Sequence, residues 1–352
     1  MTPVHSTPPS EEAALLAAVR AGDQPAFAAL AERYRRQLHV HCYRMLGSVD
    51  DAEDLVQETF LRAWRGREGF EGRSLFRTWL YRIATNACLN ALERLPRRVL
   101  PQHVTPPVTT ASDWSAPPSE PPWAPEMPWL QPYPDQLLEL AAPREAEPDV
   151  AVIARETIEL AFLAALQHLP PRQHAVLILR DVLDWSARET AALLDMTVQS
   201  VNSALQRARA TMRASVPPGR RDWTPATPTE QERAVLQRFI EAWERDDAPA
   251  LTALLREDTR WAMPPAPLWF DGHAALARLL ALFPIGWQGR AFRLVPTGAN
   301  RQPAAASYIR ARGESAYRFT GVHVLRVEGD RIAEITSYSA ELCHAFDLPA
   351  TL

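Results

Sequence analysis

The chain has 352 residues, a net charge of −4, 47% hydrophobic residues and 23% charged ones. That length allows two or three domains with real cores. The charge balance excludes a uniformly basic nucleic-acid binder, so any basic surface must be local. All 38 basic residues are arginines, which fork onto carboxylates and phosphates and stack on rings as lysine does not.

Residues 11–95 read as helices throughout. AALLAAVRAGD and PAFAALAERYRRQLHVHCYRML place apolar residues at i, i+3, i+4 spacing. Gly22 and Asp23 separate them, Pro25 suits a first helical turn, and Gly47-Ser48 ends the second. The next helix, DDAEDLVQETFLRAW, is sharply two-faced. At about 100° per residue, Ala52, Leu55, Val56, Thr59, Phe60, Ala63 and Trp64 share one face. Asp50, Asp51, Asp54, Gln57, Glu58 and Leu61 share the other. Burial explains the first face but not an opposing stripe of carboxylates, which suits docking to a basic partner. A glycine-rich loop follows, then SLFRTWLYRIATNACLNALERL, a long helix stopped by Pro96. From Arg62 to Arg98 there are nine arginines and three acids. Phe70, Phe76, Trp79 and Tyr81 alternate with Arg73, Arg77 and Arg82, a mixture able to stack bases and hold phosphates. Leu80, Ile83 and one of Phe76 or Trp79 are expected in the core. Thr85, Asn86 and Asn90 read either as base-edge contacts or as solvent-facing groups.

Residues 96–148 contain 14 prolines and keep no helical period. They read as a flexible or extended linker, although Trp114, Trp123 and Trp129 are unusual in a pure spacer. Residues 149–215 return to helix. Within them, DWSARETAALLDMTVQSVNSALQRARATMR has a helix-turn-helix pattern. Ser186 and Glu189 form a capping box, Asp195-Met196 a turn and Thr197 a second cap. Val201, Leu205 and Ala208 face inward. Val198, Gln199, Ser200, Asn202, Ser203, Gln206, Arg207 and Arg209 remain for bases and phosphates in a major groove. From Met196 to Arg221 there are five arginines and no acid, a local positive field.

Residues 229–345 begin with helices and continue as alternating strands, RAFRLVPT, AAASYIRAR, YRFTGVHVLRVEGD and RIAEITSYS, with a hairpin turn at Glu328-Gly329-Asp330. Helices followed by a mostly antiparallel sheet indicate α+β. Asp258, His273 and His323 are acid/base candidates, but no spacing pairs them. Trp243, Trp261, Trp269, Phe283, Tyr308 and Tyr338 read mainly as core, with a pocket lining as the alternative. Cys42, Cys88 and Cys343 are odd in number and far apart, which suits buried thiols in a reducing compartment. His39, His41 and Cys42 lack a second ligand pair, so neither metal nor cofactor is expected. No signal peptide or membrane-spanning stretch is visible, so a cytoplasmic protein without a membrane partner is expected.

Taken together, these motifs resemble a bacterial sigma-70-family factor of the extracytoplasmic-function group. DAEDLVQETFLRAW resembles the region 2 helix that docks on the β′ clamp helices of core RNA polymerase. FRTWLYRIATNACLN resembles the segment that melts and reads the promoter −10 element. DWSARETAALLDMTVQSVNSALQRAR resembles the region 4 helix-turn-helix that reads the −35 element near the β flap. The resemblance implies polymerase contact through Asp50, Asp51, Asp54, Gln57, Glu58 and Leu61. It implies −10 contact through Arg73, Arg77, Trp79, Arg82, Asn86 and Asn90, and −35 contact through the eight exposed residues of the second helix. Asp195 departs from the glycine usual in that turn. The C-terminal part, with DTRWAMPPAPLWFDGHAAL, resembles the SnoaL-like fold, a cone-shaped α+β barrel. The expected layout is region 2 over 11–95, the linker over 96–148, region 4 over 149–215 and a SnoaL-like regulatory domain over 229–345. The expected function is promoter-directed initiation without enzymatic activity, with a small-molecule ligand as a candidate partner of the barrel. Two alternatives stand beside it: a helix-turn-helix regulator acting without polymerase, and a SnoaL-like enzyme tethered to DNA.

Overall fold

The computed structural model describes residues 11–70, 75–108, 127–139, 158–215, 228–282 and 289–352. The described residues form two compact units. The first combines residues up to Leu46 with Asp50–Leu95 and Pro170–Ala208, and the second combines Gly47–Val49, Pro96–Leu169 and Arg209–Leu352.

In the first unit, helices α1 (Glu11–Arg20), α2 (Gln24–Leu46), α3 (Val49–Arg65) and α4 (Phe76–Leu92) supply one helical layer. α3 buries Ala52, Val56, Thr59, Phe60 and Ala63. Phe27 of α2 meets Phe60 and Trp64 of α3 at 6.5 and 5.2 Å between ring centroids. α4 buries Phe76, Leu80, Tyr81, Ala84, Thr85, Ala87 and Cys88. Thr85 therefore reads no base and faces no solvent; its hydroxyl lies 2.9 Å from His41 Nε2.

Pro170–Ala208 belongs to the same unit. It comprises α7 (Pro171–Leu177), a π-helical turn (Ile178–Val182), α8 (Ala187–Leu194) and the first half of α9 (Val198–Ser215). Trp185 packs on Tyr81 at 5.7 Å, and His174 Nε2 donates to the Arg44 carbonyl at 3.1 Å. Burial pushes His174 down to about 4; burial, then the charges of Arg44 and His174, push His41 down to about 3. The unfolded chain protonates both near pH 6.5, and the folded chain does not. Their contribution is therefore complete above pH 6.5 and is lost as pH falls toward 4. At pH 5 each histidine costs roughly 2 kcal/mol of stability. Thermal melts between pH 7 and 5 should show this loss, and His174→Gln, which can still donate to Arg44, should flatten it. An equally steep loss in that variant would contradict the assignment.

The second unit is built on a six-stranded mixed sheet in the order β2-β1-β6-β5-β4-β3. The strands are β1 (Leu255–Ala262), β2 (Trp269–Asp271), β3 (Ala291–Ala299), β4 (Gln302–Arg310), β5 (Arg318–Glu328) and β6 (Arg331–Ser339). Only β1 and β6 pair in parallel. Helix α10 (Glu230–Glu244) starts at a Thr229–Glu232 capping box. It lays Val235, Leu236, Phe239, Ile240 and Trp243 against the sheet's concave face, with α11 (Ala248–Ala253) and α12 (His273–Leu282) beside it. Phe283, weighed above as pocket lining, lies outside the described residues. Tyr308 is fully buried.

The Pro-rich segment behaves differently from a free tether wherever it is described. Asn300 and Arg301 form the two-residue β3–β4 turn, both at positive φ (56° and 58°), as a type I′ hairpin requires. Asn300 is fully buried. Its Oδ1 accepts from Tyr133 N–H at 2.8 Å, its own N–H donates to the Tyr133 carbonyl at 2.8 Å, and its Nδ2 donates to the Ile158 carbonyl at 2.7 Å. Asp135, at the start of α5 (Asp135–Glu139), accepts from Arg301 N–H at 2.8 Å, and Gln302 Oε1 accepts from Leu160 N–H at 3.1 Å at the start of α6 (Leu160–Leu166). Upstream, Thr105 donates to the Pro267 carbonyl and accepts from Trp269 Nε1, at 2.7 and 2.8 Å. Also within this unit, Gln131 N–H donates to the Gly47 carbonyl at 2.9 Å, and Gln131 Oε1 accepts from Val49 N–H at 2.6 Å. Gly47 sits at φ +71°, where a Cβ would lie 2.6 Å from Leu130.

Candidate functional site

Three surfaces carry the residues singled out above. On α3, Asp50, Asp54, Gln57 and Leu61 are exposed and Asp51 and Glu58 half-buried. Leu61 is 50% exposed, a large apolar side chain amid carboxylates. Glu58 accepts from Arg62 at 2.7 Å, a surface i,i+4 pair worth a few tenths of a kcal/mol. Glu53 faces inward along α2, holding Arg35 at 3.0 Å. The acidic stripe is thus a coherent outward face, with Glu53 set apart at its edge.

On α4, Trp79, Arg82, Asn86 and Asn90 follow one another at three- and four-residue steps. Arg82 and Asn90 are exposed; Trp79 and Asn86 are half-buried. Trp79 is anchored among Phe70 and Phe76, with centroids at 5.0 and 5.6 Å. Arg77 lies off this stripe, its guanidinium 5.3 Å from the Tyr81 ring centroid. Arg73 lies outside the described residues. Arg82 pairs with Asp195 at 3.6 Å. Asp195 takes the left-handed conformation (φ 52°) that closes α8, where glycine costs less.

The helix-turn-helix is built as its sequence indicates. Ser186 Oγ accepts from Glu189 N–H, and Glu189 accepts from Ser186 N–H. These hydrogen bonds to the carboxylate, the side chain's first, hold Glu189 below its usual range. Thr197 Oγ1 caps α9 by accepting from Ser200 N–H at 3.1 Å and donates to Ser200 Oγ at 2.8 Å. Val201, Leu205 and Ala208 are buried. Val198, Gln199, Ser200, Asn202, Gln206, Arg207 and Arg209 are exposed and Ser203 half-buried, so the reading face is free of core duties.

The barrel's acid/base candidates do not converge. Asp258 is exposed and bonded to Arg256, whose guanidinium holds its carboxyl below the usual range. His323 lies inside, with Nδ1 2.7 Å from Ser337 Oγ, which also accepts from Trp261 Nε1 at 2.8 Å. Burial pushes His323 down to about 4. Sequence reasoning offered His323 but passed over Ser337, Asn300, Gln302, Tyr133 and Gln131. Of these, only Asn300 carried a local signal, an Asn at a position between two strand-like runs.

Comparison with known proteins agrees with this layout. The sigma-70 region 2 family matches residues 30–98, sigma-70 region 4 matches 159–212, and the SnoaL-like domain family matches 236–335. The ECF RNA polymerase sigma factor SigG of Mycobacterium tuberculosis is 43% identical over 335 residues, covering 95% of this chain and 86% of that protein. SigW of Bacillus subtilis, also an ECF RNA polymerase sigma factor, is 29% identical over 55% of this chain and 91% of its own. The crystal structure of Mycobacterium tuberculosis extracytoplasmic function sigma factor SigJ shares the fold at a TM-score of 0.56 and 19% identity, over 92% of this chain and 99% of that one. Among the described residues no helix is long and apolar enough to cross a membrane. The chain belongs to the ECF RNA polymerase sigma factors, proteins of transcription initiation, and carries a SnoaL-like domain behind its two sigma regions.

Proposed function

We propose that this chain docks on the β′ clamp helices through the α3 face, reads a melted −10 strand through α4 and reads −35 duplex through α9. In this reading the SnoaL-like barrel restrains the factor by holding the linker, and polymerase performs all the chemistry. The observation that carries it is the linker's attachment. A segment that must run extended between two promoter-bound regions is clipped to the barrel by the buried Asn300. The pairing of Arg82 with Asp195 supports the same view, because a candidate −10 residue is engaged by the turn of the −35 reader. That exposed pair is weak alone, which suits a contact that promoter binding must break.

The two kinds of α9 contact make separable predictions. Gln206→Ala should cost about 1–3 kcal/mol at one preferred base pair and relax selectivity there. Arg207→Ala should weaken all duplexes alike and reduce the slope of log affinity against log salt by about one. Anisotropy titrations of labelled −35 duplexes across a salt series distinguish them, and the assignment fails if both variants retain selectivity and slope. The restraint itself is tested by comparing polymerase-dependent output of the full chain with that of variants whose linker is released. Unchanged output from a demonstrably released linker would remove the regulatory role and leave the promoter-reading role standing.

A further inference from the structure

The concave side of the barrel holds a polar group that the hydrophobic core does not need. β5 and β6 form a hairpin in which His323 faces Ser337, and Ala305 of β4 is the other neighbour of His323. The His323 ring stacks on Trp243 of α10 at 5.3 Å and 19° and meets Phe239 edge-on at 5.9 Å. Trp243 in turn touches Trp261 and Phe292, at 5.9 and 5.3 Å. The result is an aromatic enclosure around an imidazole.

The protons in this enclosure can be placed. Ser337 Oγ accepts from Trp261 Nε1–H, since an indole can only donate. The serine's one hydrogen then has His323 Nδ1 as its acceptor. The opposite arrangement, with Nδ1–H donating, leaves both the serine hydrogen and Nε2 unused, which costs more. Nδ1 is therefore the acceptor and Nε2 carries the hydrogen. Burial keeps the ring neutral, its pKa pushed down to about 4. Among the described residues, neither His323 Nε2 nor Trp243 Nε1 has a hydrogen-bond partner, and both atoms are inaccessible to solvent. Trp243 itself is 9% exposed. Leaving two N–H donors buried without acceptors costs about 1–3 kcal/mol each.

The surrounding surface is consistent with an opening here. His323, Ser337 and Ser339, on the concave face, are half-buried. Val322, Val324, Thr336 and Tyr338, on the opposite face of the same two strands, are buried. Ser339 Oγ also has no partner among the described residues.

We infer that the barrel binds an uncharged, ring-bearing small molecule through a carbonyl-type oxygen that accepts from His323 Nε2–H and Trp243 Nε1–H. One carbonyl oxygen has two lone pairs and can satisfy both donors. The aromatic walls favour a flat apolar body. A neutral imidazole gives a carboxylate nothing to offset its loss of water. The inference names a ligand class for the domain proposed above as regulatory, and its test reads binding directly, so it stands or falls separately from any effect on transcription.

The experiment uses the full-length protein labelled with ¹⁵N and three probes: acetophenone, ethylbenzene and benzoate. The Trp243 indole N–H resonance is identified as the one missing from Trp243→Phe. Acetophenone is expected to shift it saturably, ethylbenzene to bind at least about tenfold more weakly, and benzoate to leave it unmoved. Trp243→Phe and His323→Phe should each keep the dispersed spectrum of the folded chain while losing the preference for the ketone over the hydrocarbon. Three results overturn the proposal: no shift up to the solubility limit of acetophenone, which means ordered water alone satisfies the donors; equal binding of acetophenone and ethylbenzene; or tighter binding of benzoate.

Discussion

In Asn300→Gly, residues 127–139 are expected to come away from the barrel while the barrel stays folded. Glycine keeps the positive φ of the turn, so the β3–β4 hairpin survives. The lost side chain strands Tyr133 N–H and the Ile158 carbonyl, both on residues no more than 1% exposed. Each orphaned group costs about 1–3 kcal/mol, so the attached state should weaken by about a hundredfold. Hydrogen exchange at 127–139 should accelerate accordingly, and polymerase-dependent output should rise. Gly298→Leu should act in the same direction by a different route, because a Cβ there would lie 2.5 Å from Asp135 Oδ2. Unaltered exchange in both variants would show that other contacts hold the segment.

The second large effect is expected from Asp54→Arg with Glu58→Arg. Both side chains point away from the buried face of α3, and the one surface pair lost, Glu58–Arg62, is worth little. Stability should change by less than about 1 kcal/mol. Against a basic partner helix, two reversals place like charges together and should weaken holoenzyme assembly on the order of a hundredfold or more. Competition with the unmodified chain for core polymerase measures this. Full assembly by the variant at physiological salt would rule out α3 as the docking face.

The sequence was most legible where structure is local. The two faces of α3 follow from helical periodicity alone, and the Ser186–Glu189 capping box marks the start of α8 by a four-residue signature. The linker was misleading for a physical reason. Proline removes helical period and backbone donors, and the docking uses partners more than a hundred residues away, such as Tyr133 with Asn300. Nothing at 127–139 alone announces a buried amide in a distant hairpin. The His323–Ser337 pair was hidden by a single irregularity. The turn at Gly329-Asp330 pairs Glu328 with Arg331, a register that carried straight on would set His323 against Thr336. The bulge between Arg326 and Val327 moves the pairing by one residue and brings Ser337 opposite. Asp195 was noted as a departure from its family. Its ion pair with Arg82 supplies a physical setting for it that spacing could not.

The central claim is that this chain directs core RNA polymerase to two-part promoters. Run-off transcription with the reconstituted holoenzyme, followed by mapping of transcript 5′ ends, tests it most directly. The account predicts discrete start sites that require added chain and disappear with Asp54→Arg/Glu58→Arg. Tight duplex binding by the free chain, with no specific initiation when core polymerase is supplied, would contradict it and point to a regulator that works without polymerase.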